Sequence, residues 1–198
     1  MLRNRLGNAL AFLLAPALAL TACTGDDDGD GSGGGDGPAT GKDRLATTAR
    51  VGQVVGGRLA AQPRQRLVKE VTAVVDEWID GAYVGGDYPR TDFDGAFRAF
   101  TDGAGRLAAA QPKVMSNQAV GKQVETVTAT RRTVWIDVLA PGGRPAGVTA
   151  RVTLVVDLEG EDIDRTDKVS GRLMLSPDGK GGWEVFGFDV RRGEMRKR

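Results

Sequence analysis

The hydrophobic period of this chain changes once, from helical to extended, and that order limits the fold more than any other feature. Between Arg64 and Asp80, apolar side chains fall at Leu67, Val68, Val71, Val74, Val75, Trp78 and Ile79. At ~100° per residue they fill an arc of about 140°, with Lys69, Glu70, Thr72, Asp76, Glu77 and Asp80 opposite. Pro63 suits the first turn and Gly81 supplies a stop, so the pattern predicts one helix with a single buried face. From Gln123 onward the period is two. Val134, Ile136 and Val138 alternate with polar residues or Trp135, and Val148 to Leu158 do the same over eleven residues. Val169, Leu173 and Leu175 form a third run. In a fourth, Glu184, Phe186, Phe188 and Val190 share one face, with Trp183 and Val185 on the other.

The connections Pro141–Gly147, Glu159–Asp167 and Pro177–Gly182 are rich in turn formers. Four sequential strands with short turns predict an antiparallel meander, and helices followed by strands predict an α+β class. Between the two regimes, Tyr83 to Arg90 reads as a loop. Thr91 and Asp94 sit at capping-box spacing, which predicts a short helix with Phe93, Ala96, Phe97 and Phe100 on one side. Thr101 caps a further helix from Asp102 to Gln111, ended by Pro112. Residues 44–60 are ambiguous. Ala49, Val51, Val55 and Leu59 allow a short strand near Val51–Leu59, whereas Gly52, Gly56 and Gly57 oppose it.

The first 43 residues have a different character. Arg3 and Arg5 precede an apolar run, Ala9 to Leu20, that is too short for the ~20 residues of a membrane span. It fits the core of a signal peptide. The run ends in Leu20-Thr21-Ala22-Cys23, which resembles the bacterial lipobox at all four positions. That resemblance implies cleavage before Cys23 and a diacylglyceryl thioether on its Sγ, hence a lipoprotein on the extracytoplasmic face of the cell membrane. Two acyl chains on one residue give a lasting anchor, at ~0.8 kcal/mol per buried methylene. Residues 1–22 are then the signal peptide, 23–43 the lipidated cysteine and a disordered tether, and 44–198 the folded domain. The tether is Gly and Asp with no residue able to join a core. Asp26, Asp28, Asp30 and Gly31 match half an EF-hand loop, but position twelve is Gly37 and no helix flanks it.

Composition excludes much chemistry. Cys23 is the one cysteine and there is no histidine, so Cys/His metal sites and the common nucleophilic triads are absent. Ser116, Ser170 and Ser176 lie in no nucleophile motif, and no phosphate-binding loop is present. The formal charge is +1, which argues against nucleic acid. Arg3, Arg5 and the five aspartates Asp26, Asp27, Asp28, Asp30 and Asp36 lie before Lys42, so basic residues exceed acidic ones by four from there on. The acidic run Asp157–Asp164 reads as a solvated hairpin loop, and Arg191–Arg198 as a solvated basic tail.

The order of elements, one long amphipathic helix, short helices and a long-stranded meander, resembles the cone-shaped NTF2-like (SnoaL-like) fold. Residues 78–90 (WIDGAYVGGDYPR), 171–175 (GRLML) and 183–190 (WEVFGFDV) also resemble lipoproteins of actinobacteria. The likeness covers about residues 60 to 192. NTF2-like domains usually place a helix between early strands, and those strands are not evident here. Isomerases of that family use Asp with Tyr in an apolar pocket, which draws attention to Asp80, Tyr83, Asp87, Tyr88 and Asp92. Weighed against a solvated turn, these residues do not make a catalytic site. The expectation is a non-enzymatic domain without cofactor or metal, which binds a protein or an apolar small molecule. Its apolar pocket is expected at one end of the helix, bordered by Trp78, Tyr83 and Phe97. The alternative is an isomerase or hydrolase using Asp and Tyr.

Overall fold

A computed structural model describes residues 45–196; the expected signal peptide, Cys23 and tether lie outside the described residues. The long helix, α1 (Ala61–Ile79), buries Leu67, Val71, Val75, Trp78 and Ile79, the stripe read from the sequence. Val68 and Val74 flank it and pack on the same core. Pro63 lies in the first turn, where its missing N–H has no intrahelical partner to lose.

Gly81 does not stop the helix. The chain passes into one π-helical turn, Asp80–Val84, closed by the Gly85 N–H on the Asp80 carbonyl at 2.8 Å. The wider turn sends both Ala82 and Tyr83 into the core. Glycine is needed at 81 for another reason: a Cβ there would sit 3.0 Å from Ala96 Cα.

The helix expected after Thr91 is replaced by separate turns, in which Ala96 N–H donates to Phe93 O and Phe100 N–H to Phe97 O. Asp92 Oδ1, not Thr91, accepts the Asp94 N–H at 2.9 Å. Backbone that would continue a helix is committed elsewhere. Thr101 N–H donates to Val185 O, and Val185 N–H to Ala99 O, both at 2.9 Å. Thr101 then caps α2 (Asp102–Ala109) through the Ala104 N–H. α2 stops at Ala109, two residues short of the expected Gln111, and Pro112 opens a one-turn helix, α3 (Pro112–Met115).

The sheet has five strands in the order β1 (Thr48–Val55), β2 (Thr126–Leu139), β3 (Gly147–Gly160), β4 (Ile163–Pro177) and β5 (Trp183–Met195). The fold is therefore α+β, with one strand more than the expected four. β2 to β5 form the antiparallel meander, and β1 joins the β2 edge in parallel. A parallel pair needs a crossover, and residues 56–125 with their helices supply it. β1 begins three residues before Val51 and ends ahead of Gly56. Its register breaks between Val51 and Val54, where Asp137 Oδ1 accepts the Gln53 N–H at 2.9 Å in place of a ladder partner.

The meander strands run longer than their apolar pattern. The expected loop Glu159–Asp167 is strand except for the turn Glu161-Asp162, since Glu159 pairs Asp164 and Asp157 pairs Thr166. The expected basic tail is also strand as far as Met195. Two bulges change which side chains face the helices. Thr130 is an extra residue on β2, which brings Val127 and Ala129 onto the same inner face as Arg132, Val134, Ile136 and Val138. Phe186 is extra on β5, so Phe188 and Val190 join Trp183 and Val185 on the inner face, and Phe186 is turned out, 55% exposed.

Candidate functional site

The residues expected to border an opening do not share one. Trp78 is buried, and its indole N–H donates to the Met115 carbonyl at 3.2 Å. Tyr83 is buried beside it, ring edge to face at 5.5 Å, and its hydroxyl donates to the Val114 carbonyl. Burial raises the Tyr83 pKa, against a smaller lowering by the Arg192 guanidinium. Phe97 packs edge-on against Phe100 at 5.4 Å and lines a shallow surface hollow with Arg98, Asp102 and Arg106. Trp78 and Tyr83 do not reach that hollow, so the expected pocket at this end of the helix is replaced by packed side chains.

The carboxylates and phenols that are close in sequence also part company. Asp80 accepts from Arg132 Nη1 at 2.8 Å. Asp87 and Asp92 are exposed. The Tyr88 hydroxyl donates to the Tyr83 carbonyl at 2.6 Å and accepts from Asn117 Nδ2 at 3.0 Å. Its pKa is raised mainly by burial, with the Asn117 bond acting the other way. No shared proton path joins an Asp to a Tyr in this set.

Two buried ionic clusters, not anticipated from the sequence, brace the inner face. Arg132, its side chain 3% exposed, reaches from β2 to Asp76 and Asp80 on and after α1, both at 2.8 Å. Its Nε donates to Thr47 Oγ1 just before β1. On the same face, at the β5 edge of the sheet, Arg192 Nε donates to Asp167 Oδ2 at 2.7 Å and Nη1 to the Ser116 carbonyl at 2.8 Å. Arg165 adds a second cation to Asp167 at 3.1 Å. Asn117 completes the joint through the carbonyls of Ala82 and Tyr83. Each cluster ties a strand to the helical layer, which is an architectural role.

The opening between helix and sheet lies at the other end of α1. Pro63, Arg66, Leu67 and Glu70 face Pro177 and Trp183 across a hollow of about 360 Å³, with Pro145 at its edge. Leu67 and Trp183 are buried and give it an apolar floor. Glu70 Oε2 fixes the indole by accepting its N–H at 3.3 Å. Such a cleft can desolvate a flat apolar group while Arg66 and Glu70 meet a polar end. Trp183 was readable as a strand residue sharing a face with Val185, but that this face is the inner one, and that it meets the first turns of α1, needed the bulge at Phe186 and the long-range crossover.

No family model, curated protein or solved structure matches this chain. Among the described residues no group of three His, Cys, Asp or Glu is placed to hold a metal ion. Among them, too, no helix is long and apolar enough to cross a membrane.

Proposed function

We propose that this chain is a lipoprotein, anchored through Cys23 on the extracytoplasmic side of the cell membrane. Its NTF2-like domain is a non-catalytic binding module, an accessory to envelope assembly or transport. The NTF2-like reading is supported by one long helix laid on a sheet whose last four strands form a meander. The binding reading is carried by the Pro63–Leu67–Trp183 cleft, an apolar-floored hollow with two charged groups, Arg66 and Glu70, and the Gln62 amide at its rim. An apolar small molecule or an apolar protein segment fits that chemistry. The isomerase alternative needs Asp and Tyr to converge, and Asp80 and Tyr83 are engaged with Arg132 and Val114 respectively.

The test uses an anionic naphthalene fluorophore as probe. It should bind weakly, with energy transfer from Trp183, and Arg66→Glu should weaken it by removing the rim cation. Binding unaffected by Arg66→Glu and by Leu67→Ala would remove the cleft as the site. Isomerase or esterase turnover lost in Asp80→Asn would replace the binding reading with the enzyme. For the anchor, Cys23→Ser should abolish lipid labelling and release the protein from salt-washed membranes; a mutant retained in the pellet refutes the lipid attachment.

A further inference from the structure

The outer face of the sheet, opposite the helices, carries a pattern that neither the core nor the cleft uses. Strand register sets Arg50, Trp135, Arg151, Arg172 and Asp189 side by side, one from each strand in order. The neighbouring row is Thr48, Thr133, Thr153, Ser170 and Arg191. Arg151 and Arg172 are direct cross-strand partners, a like-charge arrangement that weakens a sheet in isolation. Asp137 holds Arg151 at 3.0 Å and Asp189 holds Arg172 at 2.6 Å, whereas Arg50 and Arg191 meet no acidic group among the described residues. Cations placed abreast and left incompletely neutralised favour an anionic partner.

The same face exposes apolar groups. Trp135 is 48% exposed, and Val55, Leu139 and Phe186 are each more than half exposed. Val55, Leu139, Met174 and Phe186 border an open hollow of about 390 Å³ beside the arginine row. The bulge on β5 is what turns Phe186 outward. Arginine with tryptophan and other apolar side chains on one open face is the chemistry of the bilayer interface, where guanidinium meets phosphate and the apolar groups enter the acyl boundary.

We infer that this face docks on an anionic lipid surface, the same bilayer to which Cys23 is attached; this rests on the anchor proposed above. Chain length permits it. Only Thr24–Arg44 separates Cys23 from the first described residue, Leu45. A chain of that length can reach at most about 70 Å. β1 begins three residues after it and itself contributes Arg50 and Val55 to the face. Docking then adds reversible contacts to a chain already held nearby, and salt weakens the arginine part.

The test reconstitutes the full mature chain with vesicles of phosphatidylcholine, alone or with phosphatidylglycerol, carrying brominated acyl chains. Flotation reports the anchor. Quenching of Trp135 emission reports the face, because Trp78 and Trp183 are buried and Trp135→Phe gives the background. Flotation with both vesicles and quenching only with phosphatidylglycerol is expected, with quenching lost in Arg151→Gln/Arg172→Gln. Flotation without quenching overturns the docking face and leaves the anchor standing. Flotation and quenching confined to phosphatidylglycerol would remove the anchor and keep the face. Equal quenching on both vesicles, or neither flotation nor quenching, overturns the inference.

Discussion

On the inner face of the sheet, register aligns Arg132, Leu154, Val169 and Arg192 across β2 to β5. A few residues farther along, the outer face aligns Trp135, Arg151, Arg172 and Asp189 on the same four strands. The composition of the two rows is similar, with two arginines in each, yet their surroundings differ throughout. The inner arginines are buried and each is bonded to carboxylate and to a further oxygen on another segment. The outer arginines are more than half exposed and hold single carboxylates. Burial makes the inner guanidiniums structural, because an unpaired charge there is far costlier than one in water. Solvent leaves the outer ones cheap to rearrange and free to meet a partner.

The contrast is broken most directly at Asp167, 2% exposed against Arg192 at 6%. Asp167→Ala removes the shared anion and leaves Arg192 buried without it, at a cost of about 3–5 kcal/mol. Urea denaturation measures this. A loss below about 1 kcal/mol would mean that Arg192 swings to water and the inner row is no brace.

A second inner-face effect is set by pH. Burial raises the pKa of Tyr83 above its ordinary 10.0, so the folded state keeps a proton that the unfolded chain releases. The resulting stability is full below pH 10.0 and is lost as pH rises toward the folded value. Tyr88, raised in the same direction, adds to it. With no histidine in the chain, stability should be flat from about pH 6 to 9 and then fall. In Tyr83→Phe the alkaline fall should be shallower; an unchanged slope in urea titrations above pH 10 would show that Tyr83 ionises without unfolding the chain.

Arg132 should give a smaller effect than Asp167, which sharpens the difference between the two inner arginines. Its partners Asp76 and Asp80 are about one-third exposed, so water takes up part of the charge that Arg132→Met uncovers. The expected cost is about 1–2 kcal/mol, discounted from a fully buried pair for that exposure. A cost equal to that of Asp167→Ala would place both joints in the same dry core.

These differences show which parts of the molecule local sequence can express. Leu67, Val71, Val75 and Trp78 recur at helical spacing, so the buried stripe of α1 was readable. So was the alternation from Val148 to Leu158, and Thr101 as a cap. The bulges at Thr130 and Phe186 were not, because an inserted residue is defined by the facing strand and not by its own neighbours. The second of them misassigned Phe186. Arg132 was missed for another reason: it alternates with Val134, Ile136 and Val138, but an arginine at the start of an apolar run reads as the strand's exposed end until Asp76 and Asp80 are brought against it. β1 was half visible: its glycines and its parallel, distant partner leave little local signal. Asp167 and Arg192 read as surface charges because each is affordable inside only when the other is present. The expected Trp78–Tyr83–Phe97 pocket failed for a related reason, since the π turn that buries Tyr83 begins where Gly81 signalled a stop.

The outer row should give the smallest change in stability, and its size decides how the face is used. In Arg151→Thr/Arg172→Thr, the exposed pairs with Asp137 and Asp189 are lost, each contributing about 0–1 kcal/mol. The same change relieves two arginines placed directly opposite each other, a gain of about 0.2–1 kcal/mol. Threonine suits an exposed strand position, so backbone preference adds no penalty. The terms nearly cancel, and the urea midpoint should move by no more than about 0.5 kcal/mol equivalent, with the slope unchanged. A loss above about 2 kcal/mol would show that these arginines brace the sheet as Arg132 and Arg192 do. They would then be no more available to a phosphate surface than the buried pair, and the division of labour between the two faces would fail.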